Sequence, residues 1–255
     1  MKFNFLKKTF FLALIGIAGV SISVNAAHGD KVVTSEPFEG KVVTDGLEFP
    51  WEMVWGPNEQ LWVTERTGKN IRRINPETGE SKILYTFNNA FVGPQHEGVL
   101  GLALSPEFLS GKGKNYVYTA YTYKNDKDEE FAKIVRLTYD KKSDKLTNET
   151  VILDKLPGSS DHNSGRLIFG PDKKLYYTIG DQGHNQGKYL DKLIESQRTA
   201  TAQEVAKKDF SSYPGSTLRL NTDGSIPKDN PVINGVRSHI YTYGHRQSKK
   251  YRGSH

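Results

Sequence analysis

Four short polar loops hold the residues best suited to chemistry, and each lies beside a run of strand-like sequence. The densest loop, Ser159–Leu167, places Asp161 directly before His162 in a turn that contains glycine. An imidazole exchanges protons near neutral pH, and a neighbouring carboxylate can orient the ring or raise its basicity. His162 is therefore a candidate general base with Asp161 as its partner. A surface loop that holds both residues by chance explains the pattern equally well.

The other three loops offer donors, acceptors and a fixed cation. Gly180–Gln186 carries several polar side chains suited to sugar hydroxyls or to a bound ion. Phe91–Gly101 brings Gln95 and His96 together with a carboxylate ahead of an apolar strand. Arg246 follows a later strand, and its planar guanidinium suits a carboxylate or a developing oxyanion. Turn and salt-bridge chemistry explains each loop alone, but loops at equivalent edges of a repeated fold would converge on one site.

The sequence between these loops predicts an all-β fold. Short runs rich in β-branched and aromatic residues alternate with turns that contain Gly, Pro, Asn or Asp. The clearest runs are Gln60–Thr64, Asn70–Ile74, Asn115–Thr119, Lys133–Leu137 and Lys174–Thr178. The segment Tyr189–Lys208 interrupts the pattern and predicts a long excursion with a short helix at Ala202–Lys207.

A repeated unit indicates how the strands are organised. Trp55–Thr64 recurs as Phe169–Thr178, and a looser copy runs from Leu104 to Thr119. In each copy a turn leads into a strand that bears aromatic residues. A spacing of roughly 50 to 65 residues is typical of four-stranded propeller blades with insertions. Two similar turns arise easily by chance, but three copies favour a β-propeller.

Residues 1–26 predict a secretory signal peptide. Three lysines precede a mostly apolar run, and small residues near Ala26 and Ala27 fit a cleavage site. The alternative is an N-terminal membrane anchor, for which the apolar run is short. We therefore expect a periplasmic or secreted protein with no membrane span after signal removal.

Composition and missing motifs exclude several classes of function. Removing the leader takes away three lysines and no acid, so the net charge falls from +6 to about +3. The remaining basic residues are scattered, which argues against nucleic-acid binding. The chain has 0 Cys, so neither disulfides nor thiol chemistry is expected. The usual signals of nucleotide binding, zinc proteolysis and serine hydrolysis are missing from the sequence.

Several long motifs, in order, carry a resemblance to a known family. The most specific is Asp161–Asp172, which continues as Tyr176–Gly183. Supporting motifs are Trp55–Pro57, Trp62–Arg66, Gly98–Gly101, Leu218–Asn221, Asp223–Pro227 and Ser238–Arg246. From about Lys41 to Arg246 the chain resembles the soluble PQQ-dependent glucose dehydrogenases, which belong to the wider glucose/sorbosone dehydrogenase group.

The resemblance implies a six-bladed β-propeller that holds PQQ and calcium at its axis. The substrate would be an aldose sugar such as glucose, oxidised at C1 to a lactone, with electrons passed on to an external acceptor. His162 matches the family's general base, and Asp161 matches its neighbour at the sugar. Arg246 matches the residue that stabilises charge on the quinone, so it is both a catalytic and a cofactor-binding candidate. A sugar-contacting amide aligns with Gln95 first, or with its neighbour His96, because of a local insertion.

The chain departs from the family after Arg246, where a divergent basic tail, residues 247–255, replaces the usual continuation. The expected organisation is a signal peptide, an N-terminal extension over 27–40 and a partial propeller of about three blades over 41–246. The loop that binds calcium beside PQQ would lie in the missing C-terminal half, so no metal ligand is predicted in this chain.

We expect a truncated or frameshifted product that is unstable or inactive alone, with a homodimer left open. One alternative is an aldose dehydrogenase of broader specificity. A second is a non-catalytic propeller that binds carbohydrate or protein.

Overall fold

The computed structural model describes residues 32–33, 39–113 and 115–247. The predicted signal peptide and all but the first residue of the predicted tail lie outside these residues. The chain divides into two compact units, residues 1–42 and 43–255. In the first unit, β1 (Val32–Val33) pairs antiparallel with β2 (Glu39–Gly40), two strands that the sequence did not indicate. Within the described part of the chain, no helix is long and apolar enough to cross a membrane.

Three four-stranded antiparallel sheets make up the second unit. The first sheet consists of β3 (Pro50–Gly56), β4 (Gln60–Glu65), β5 (Asn70–Ile74) and β6 (Ser81–Thr86). The second sheet consists of β7 (Val99–Leu104), β8 (Tyr116–Lys124), β9 (Glu130–Asp140) and β10 (Lys145–Pro157). In both sheets each strand pairs with the next strand in sequence.

The third sheet contains an insertion. It consists of β11 (Ser164–Phe169), β12 (Leu175–Ile179), β13 (Ser216–Leu220) and β16 (Ile240–Thr242). The hairpin β14 (Val232–Ile233) and β15 (Val236–Arg237) lies between its last two strands in sequence. The helix α1 (Ala202–Lys207) begins after a capping box formed by Thr201 and Glu204. It lies at the predicted position in the predicted excursion.

The repeated sequence unit marks the same hairpin in each sheet. Its copies cover the turns that join β3 to β4, β7 to β8 and β11 to β12. Each turn leads into a strand whose aromatic and β-branched side chains are buried between sheets, such as Trp62, Tyr118 and Tyr177. The all-β prediction is confirmed, and the three sheets match the expected number of blades.

The first strands of neighbouring sheets approach each other closely. Strand β7 contacts both β3 and β11. At Gly101 in β7, an added Cβ would lie 2.0 Å from the carbonyl oxygen of Gly165 in β11, so only glycine fits this approach. As a result, the loops that enter β7 and β11 lie side by side at one end of the sheets.

Candidate functional site

Four segments meet at this end of the sheets. Loop A (residues 93–98) enters β7, loop B (158–163) enters β11, loop C (180–186) leaves β12, and segment D (243–246) leaves β16. Antiparallel pairing places the start of β11, the end of β12, the start of β13 and the end of β16 at the same end. The backbone N–H of Asp181 donates to the carbonyl oxygen of Arg246 at 2.7 Å, which joins loop C to segment D.

His162 is the buried centre of the site, and a carboxylate holds its ring. Its Nδ1 lies 2.6 Å from Oδ1 of Asp181 in loop C. The same oxygen accepts the backbone N–H of Gly183 at 3.0 Å. Because a carboxylate oxygen accepts, Nδ1 carries the proton and the lone pair is on Nε2. This tautomer presents Nε2 as a proton acceptor.

The backbone at His162 adopts a conformation that few side chains tolerate. Its φ is +48°, in the left-handed region that favours glycine. Its N–H lies 2.8 Å from both Oδ1 of Asp161 and Nδ1 of His96. Loop C also presses on it, since a Cβ at Gly180 would lie 1.8 Å from the His162 carbonyl oxygen. Contacts from three loops therefore hold the His162 backbone in this strained conformation, and such strain is common at functional sites.

Asp161 and His96, two of the residues singled out in the sequence, both lie beside His162. Asp161 was expected to orient the His162 ring or to raise its basicity; its Oδ1 accepts the His162 backbone N–H and lies 3.6 Å from Nε2. Asp181 contacts Nδ1, so the carboxylate that orients the ring is Asp181. His96 lies with Nδ1 3.1 Å from Oδ1 of Asp161, and its ring stacks on that of His162 at 6.2 Å.

Gln186 connects His162 to Arg246. Its Nε2 lies 3.2 Å from Nε2 of His162 and 3.3 Å from Oδ2 of Asp161, so the amide can donate to both. Its Oε1 accepts a hydrogen bond from Nη2 of Arg246. Arg246 is otherwise exposed. The result is a chain of polar contacts from Asp181 through His162 and Gln186 to Arg246.

Gln95 lies outside this network. Its side chain is exposed, and its backbone N–H donates to Glu97. Of the two residues predicted for the sugar-contacting position, the structure brings His96, not Gln95, next to His162. Sequence reasoning named the segment of Asp181 and Gln186 as suited to ligands but assigned neither residue a place. No group of three or more His, Cys, Asp or Glu suited to a metal ion occurs among the residues that the structure describes.

Comparison with known proteins identifies the family. Residues 47–252 match the sequence model of a protein family described as glucose/sorbosone dehydrogenase. The chain is 47% identical over 218 residues to quinoprotein glucose dehydrogenase B of Acinetobacter calcoaceticus, covering 83% of this chain and 45% of that protein. This chain therefore belongs to the glucose/sorbosone dehydrogenase family.

Other relatives agree with this assignment. An aldose sugar dehydrogenase of Escherichia coli is 25% identical over 81% of this chain and 50% of its own length. The PQQ-bound aldose sugar dehydrogenase of Streptomyces coelicolor superposes with a TM-score of 0.64 and 30% identity. That match covers 80% of this chain and 53% of the solved one. The chain thus spans about half the length of the proteins it matches.

Proposed function

We propose that this chain supplies the sugar-binding and proton-accepting half of a quinoprotein aldose 1-dehydrogenase. The observation that carries the proposal is the buried His162, whose Nδ1 lies 2.6 Å from Oδ1 of Asp181. Its Nε2 accepts from the Gln186 amide at 3.2 Å, and a sugar hydroxyl would take the place of that amide. Family membership points to the same chemistry, because relatives of this chain are named as glucose and aldose sugar dehydrogenases. The substrate class is an aldose such as glucose, and the product is its lactone.

In the proposed reaction, Nε2 of His162 takes the proton of the anomeric hydroxyl as a hydride leaves C1. Loss of one proton and one hydride balances the conversion of a hemiacetal carbon to a lactone carbonyl. Asp181 keeps the ring in the required tautomer and stabilises the imidazolium that forms. Asp161 and His96 offer an acceptor and a polar ring beside Nε2 for the sugar hydroxyls, and Gln95 would need to turn inward to reach them.

The side chains that follow Nε2 of His162, Gln186 and Arg246, carry the donors that one edge of PQQ would need. Bound PQQ would supply a quinone that accepts the hydride. Arg246 offers a planar, permanently charged donor, which suits a quinone oxygen or a carboxylate. Gln186 links that donor to His162, so the cation and the proton acceptor are held together. These two side chains are the candidates for holding PQQ in this half of the protein.

The proposed reaction takes place after export of the protein and involves further partners. The leader sequence supports export, and export would put the site in the periplasm or outside the cell. Calcium beside PQQ and an external electron acceptor are expected from the resemblance, and a homodimer is left open. The proposed boundaries are residues 27–40 for an N-terminal extension, 41–246 for a partial propeller and 247–255 for a basic tail.

The test is a titration of the purified 255-residue chain with PQQ and calcium, followed by glucose and a dye acceptor. We expect saturable PQQ binding that Arg246→Ala weakens about tenfold, the scale of one charge-assisted hydrogen bond. Arg237→Ala, which removes another exposed arginine, is the matched control. Sugar binding without PQQ binding would replace the enzyme proposal with the non-catalytic module. A full-length relative assayed alongside shows whether the assay itself works.

A further inference from the structure

Loop A has no strand or helix of its own, and one buried side chain holds it together. Glu97 is 2% exposed. Its Oε2 accepts the backbone N–H groups of Gln95 at 3.1 Å and of His96 at 3.0 Å. Neither N–H belongs to a sheet ladder. The carboxylate accepts from both, and the His96 N–H has a second, longer contact with the Ser160 carbonyl oxygen at 3.3 Å.

The rest of loop A wraps around this carboxylate. A Cβ at Gly93 would lie 2.1 Å from Oε1 of Glu97, so glycine is needed where the loop crosses the side chain. The carbonyl oxygen of Glu97 accepts from Nη1 of Arg66 at 2.8 Å. The next residue, Gly98, donates its N–H to Oγ1 of Thr122 at 2.8 Å. The loop is therefore fixed at both ends and at its centre.

Loop A in turn contacts loop B through three hydrogen bonds that all involve His96. Its N–H donates to the carbonyl oxygen of Ser160 at 3.3 Å, and its carbonyl oxygen accepts from Nδ2 of Asn163 at 3.2 Å. Its Nδ1 accepts the N–H of His162 at 2.8 Å. The third contact supports the left-handed backbone at His162. Anything that moves His96 removes part of what holds His162 in place.

We propose that Glu97 is a positioning residue, which acts through His96 to hold His162 and its sugar-facing side in register. The expected effect on turnover rests on the function proposed above. The expected effect on the contact between loops A and B does not depend on that function. Glu97 touches no reacting atom in this scheme. What matters is the reach of its carboxylate to two backbone N–H groups.

A purely electrostatic role is the competing explanation. Burial, followed by the nearby charge of Glu97, raises the pKa of Glu130 to about 7. Burial also lowers the pKa of Arg66, and Glu97 opposes that shift. If Glu97 acts on the site through its charge, removing the charge should disturb the site more than shortening the side chain. The two roles therefore predict opposite rankings for two conservative substitutions.

Glu97→Gln keeps an oxygen within reach of both N–H groups but removes the charge. Glu97→Asp keeps the charge but withdraws the carboxylate by one methylene. Glu97→Ala removes both. The matched control is Glu65→Ala, since Glu65 is 0% exposed and its carboxylate accepts from the Glu48 N–H at 2.7 Å and from Arg72 at 2.9 Å. Glu65 lies in the first sheet, outside loops A and B.

The primary measurement is the NMR signal of the His162 amide and the ring ¹⁵N signals of His96 and His162 in the purified chain. We expect Glu97→Asp and Glu97→Ala to shift these signals, whereas Glu97→Gln and Glu65→Ala leave them near the wild-type positions. If Glu97→Ala does not fold, the Asp and Gln variants decide the question. Larger shifts for Gln than for Asp, or equal shifts for Glu97→Ala and Glu65→Ala, overturn the proposal.

Turnover gives a second readout in any PQQ-loaded preparation that oxidises glucose. Misplacement of a reacting group by about 1 Å costs about a hundredfold, so Glu97→Asp should lower kcat/KM by up to that factor. Glu97→Gln should stay within about threefold of the wild type. If the wild-type chain shows no turnover while the NMR ranking holds, the proposed function fails and the positioning role stands. In an active preparation, a kcat/KM for Glu97→Asp equal to the wild-type value contradicts the positioning role.

Discussion

Two buried histidines in the third-sheet region have opposite surroundings. His162 lies where loops A, B and C meet, with a carboxylate on Nδ1 and an amide beside Nε2. His239 lies on the approach to β16, where Nε2 donates to the Gly224 carbonyl oxygen at 2.9 Å and Nδ1 lies 3.0 Å from the Tyr213 hydroxyl. The two side chains are about equally buried, at 9% and 6% exposed. Burial alone therefore does not distinguish them.

The two histidines differ in the charge and chemical type of the groups that contact their ring nitrogens. Both nitrogens of His239 are used by neutral groups, and the rings of Phe210 and Tyr213 pack against it at 6.0 Å. Burial lowers the pKa of His239, which keeps the imidazole neutral. At His162 the Asp181 carboxylate contacts Nδ1, and the Gln186 amide lies 3.2 Å from Nε2. The partners of His162 therefore suit the proposed proton acceptor, whereas those of His239 suit a neutral structural ring.

The largest expected effect that tests this comparison is the loss of the His162 imidazole. In a PQQ-loaded preparation that oxidises glucose, His162→Ala should lower kcat by about two to four orders of magnitude, the usual scale for a general base. His239→Gln, which removes the other buried imidazole, serves as the control and should leave kcat within about threefold. A normal rate for His162→Ala removes this residue from the proposed reaction.

A smaller loss should follow when the carboxylate on His162 is neutralised. Asp181→Asn keeps the size of the side chain but lets the amide donate to the ring, which favours the wrong tautomer. We expect kcat to fall by about a hundredfold, with circular dichroism and thermal unfolding close to the wild type. Asp161→Asn is the informative comparison, because Asp161 contacts the backbone of His162 and not Nδ1. An equal loss of kcat in both variants would falsify the assignment of Asp181 as the orienting group.

Much of the fold was predictable because local sequence and tertiary structure agree. The three copies of the repeat mark the same hairpin in each sheet, and α1 occupies its predicted residues, Ala202–Lys207. Turn chemistry and alternating apolar residues are local signals, so neither depends on the long-range contacts of the fold. His162 was recognisable for the same reason, because its loop is polar, contains glycine and precedes a strand.

The orienting carboxylate was not predictable, because it depends on a strand irregularity. In the hairpin of β11 and β12, Leu167 pairs with Tyr177. If that register continued without interruption, His162 would lie opposite Gln182. If strand pairing is inferred only from the turn between β11 and β12, the predicted neighbour of His162 in loop C is therefore Gln182 and not Asp181.

A register shift between Ser164 and Leu167 changes the partner. Ser164 pairs with Ile179, and the same register carried two residues further places Asp181 opposite His162. Such a bulge adds one residue to one strand and re-aims the side chains beyond it. The sequence offers Gly165, with a φ of +83°, as the only hint. Loop A is a similar case, since a buried side chain rather than a periodic pattern decides that His96 faces the site.

Loss of the His239 imidazole should affect stability and not the reaction. His239→Leu has a similar volume but removes the ring nitrogens that contact the Tyr213 hydroxyl and the Gly224 carbonyl oxygen. Only the backbone N–H at position 239 stays near the hydroxyl, at 3.4 Å. Each buried polar group left unsatisfied costs about 1–3 kcal/mol, so we expect the free energy of unfolding to fall by about 2–4 kcal/mol. Urea unfolding at pH 7 measures the change. A variant as stable as the wild type would mean that water replaces the imidazole.

The smallest expected effect is a difference in pH dependence. Because burial lowers the pKa of His239, the stabilisation from its neutral ring is complete above the ordinary value of 6.5 and is lost as the pH falls through the folded-state pKa. Replacing it by Gln should therefore flatten the loss of stability below pH 6.5. His184→Gln, which makes the same chemical change at a half-buried histidine of loop C, is the matched control.

Only the difference between variants isolates this histidine. Burial raises the pKa of Glu52 and of Glu130 to about 7. Their contribution has the opposite sign, because a carboxyl with a raised pKa loses stabilisation as the pH rises from its unfolded value through about 7. The wild-type curve thus contains both trends, and subtraction of the His239→Gln curve leaves the imidazole's share. Parallel curves for the two proteins below neutral pH would show that His239 takes up a proton in the folded state as readily as in the unfolded chain.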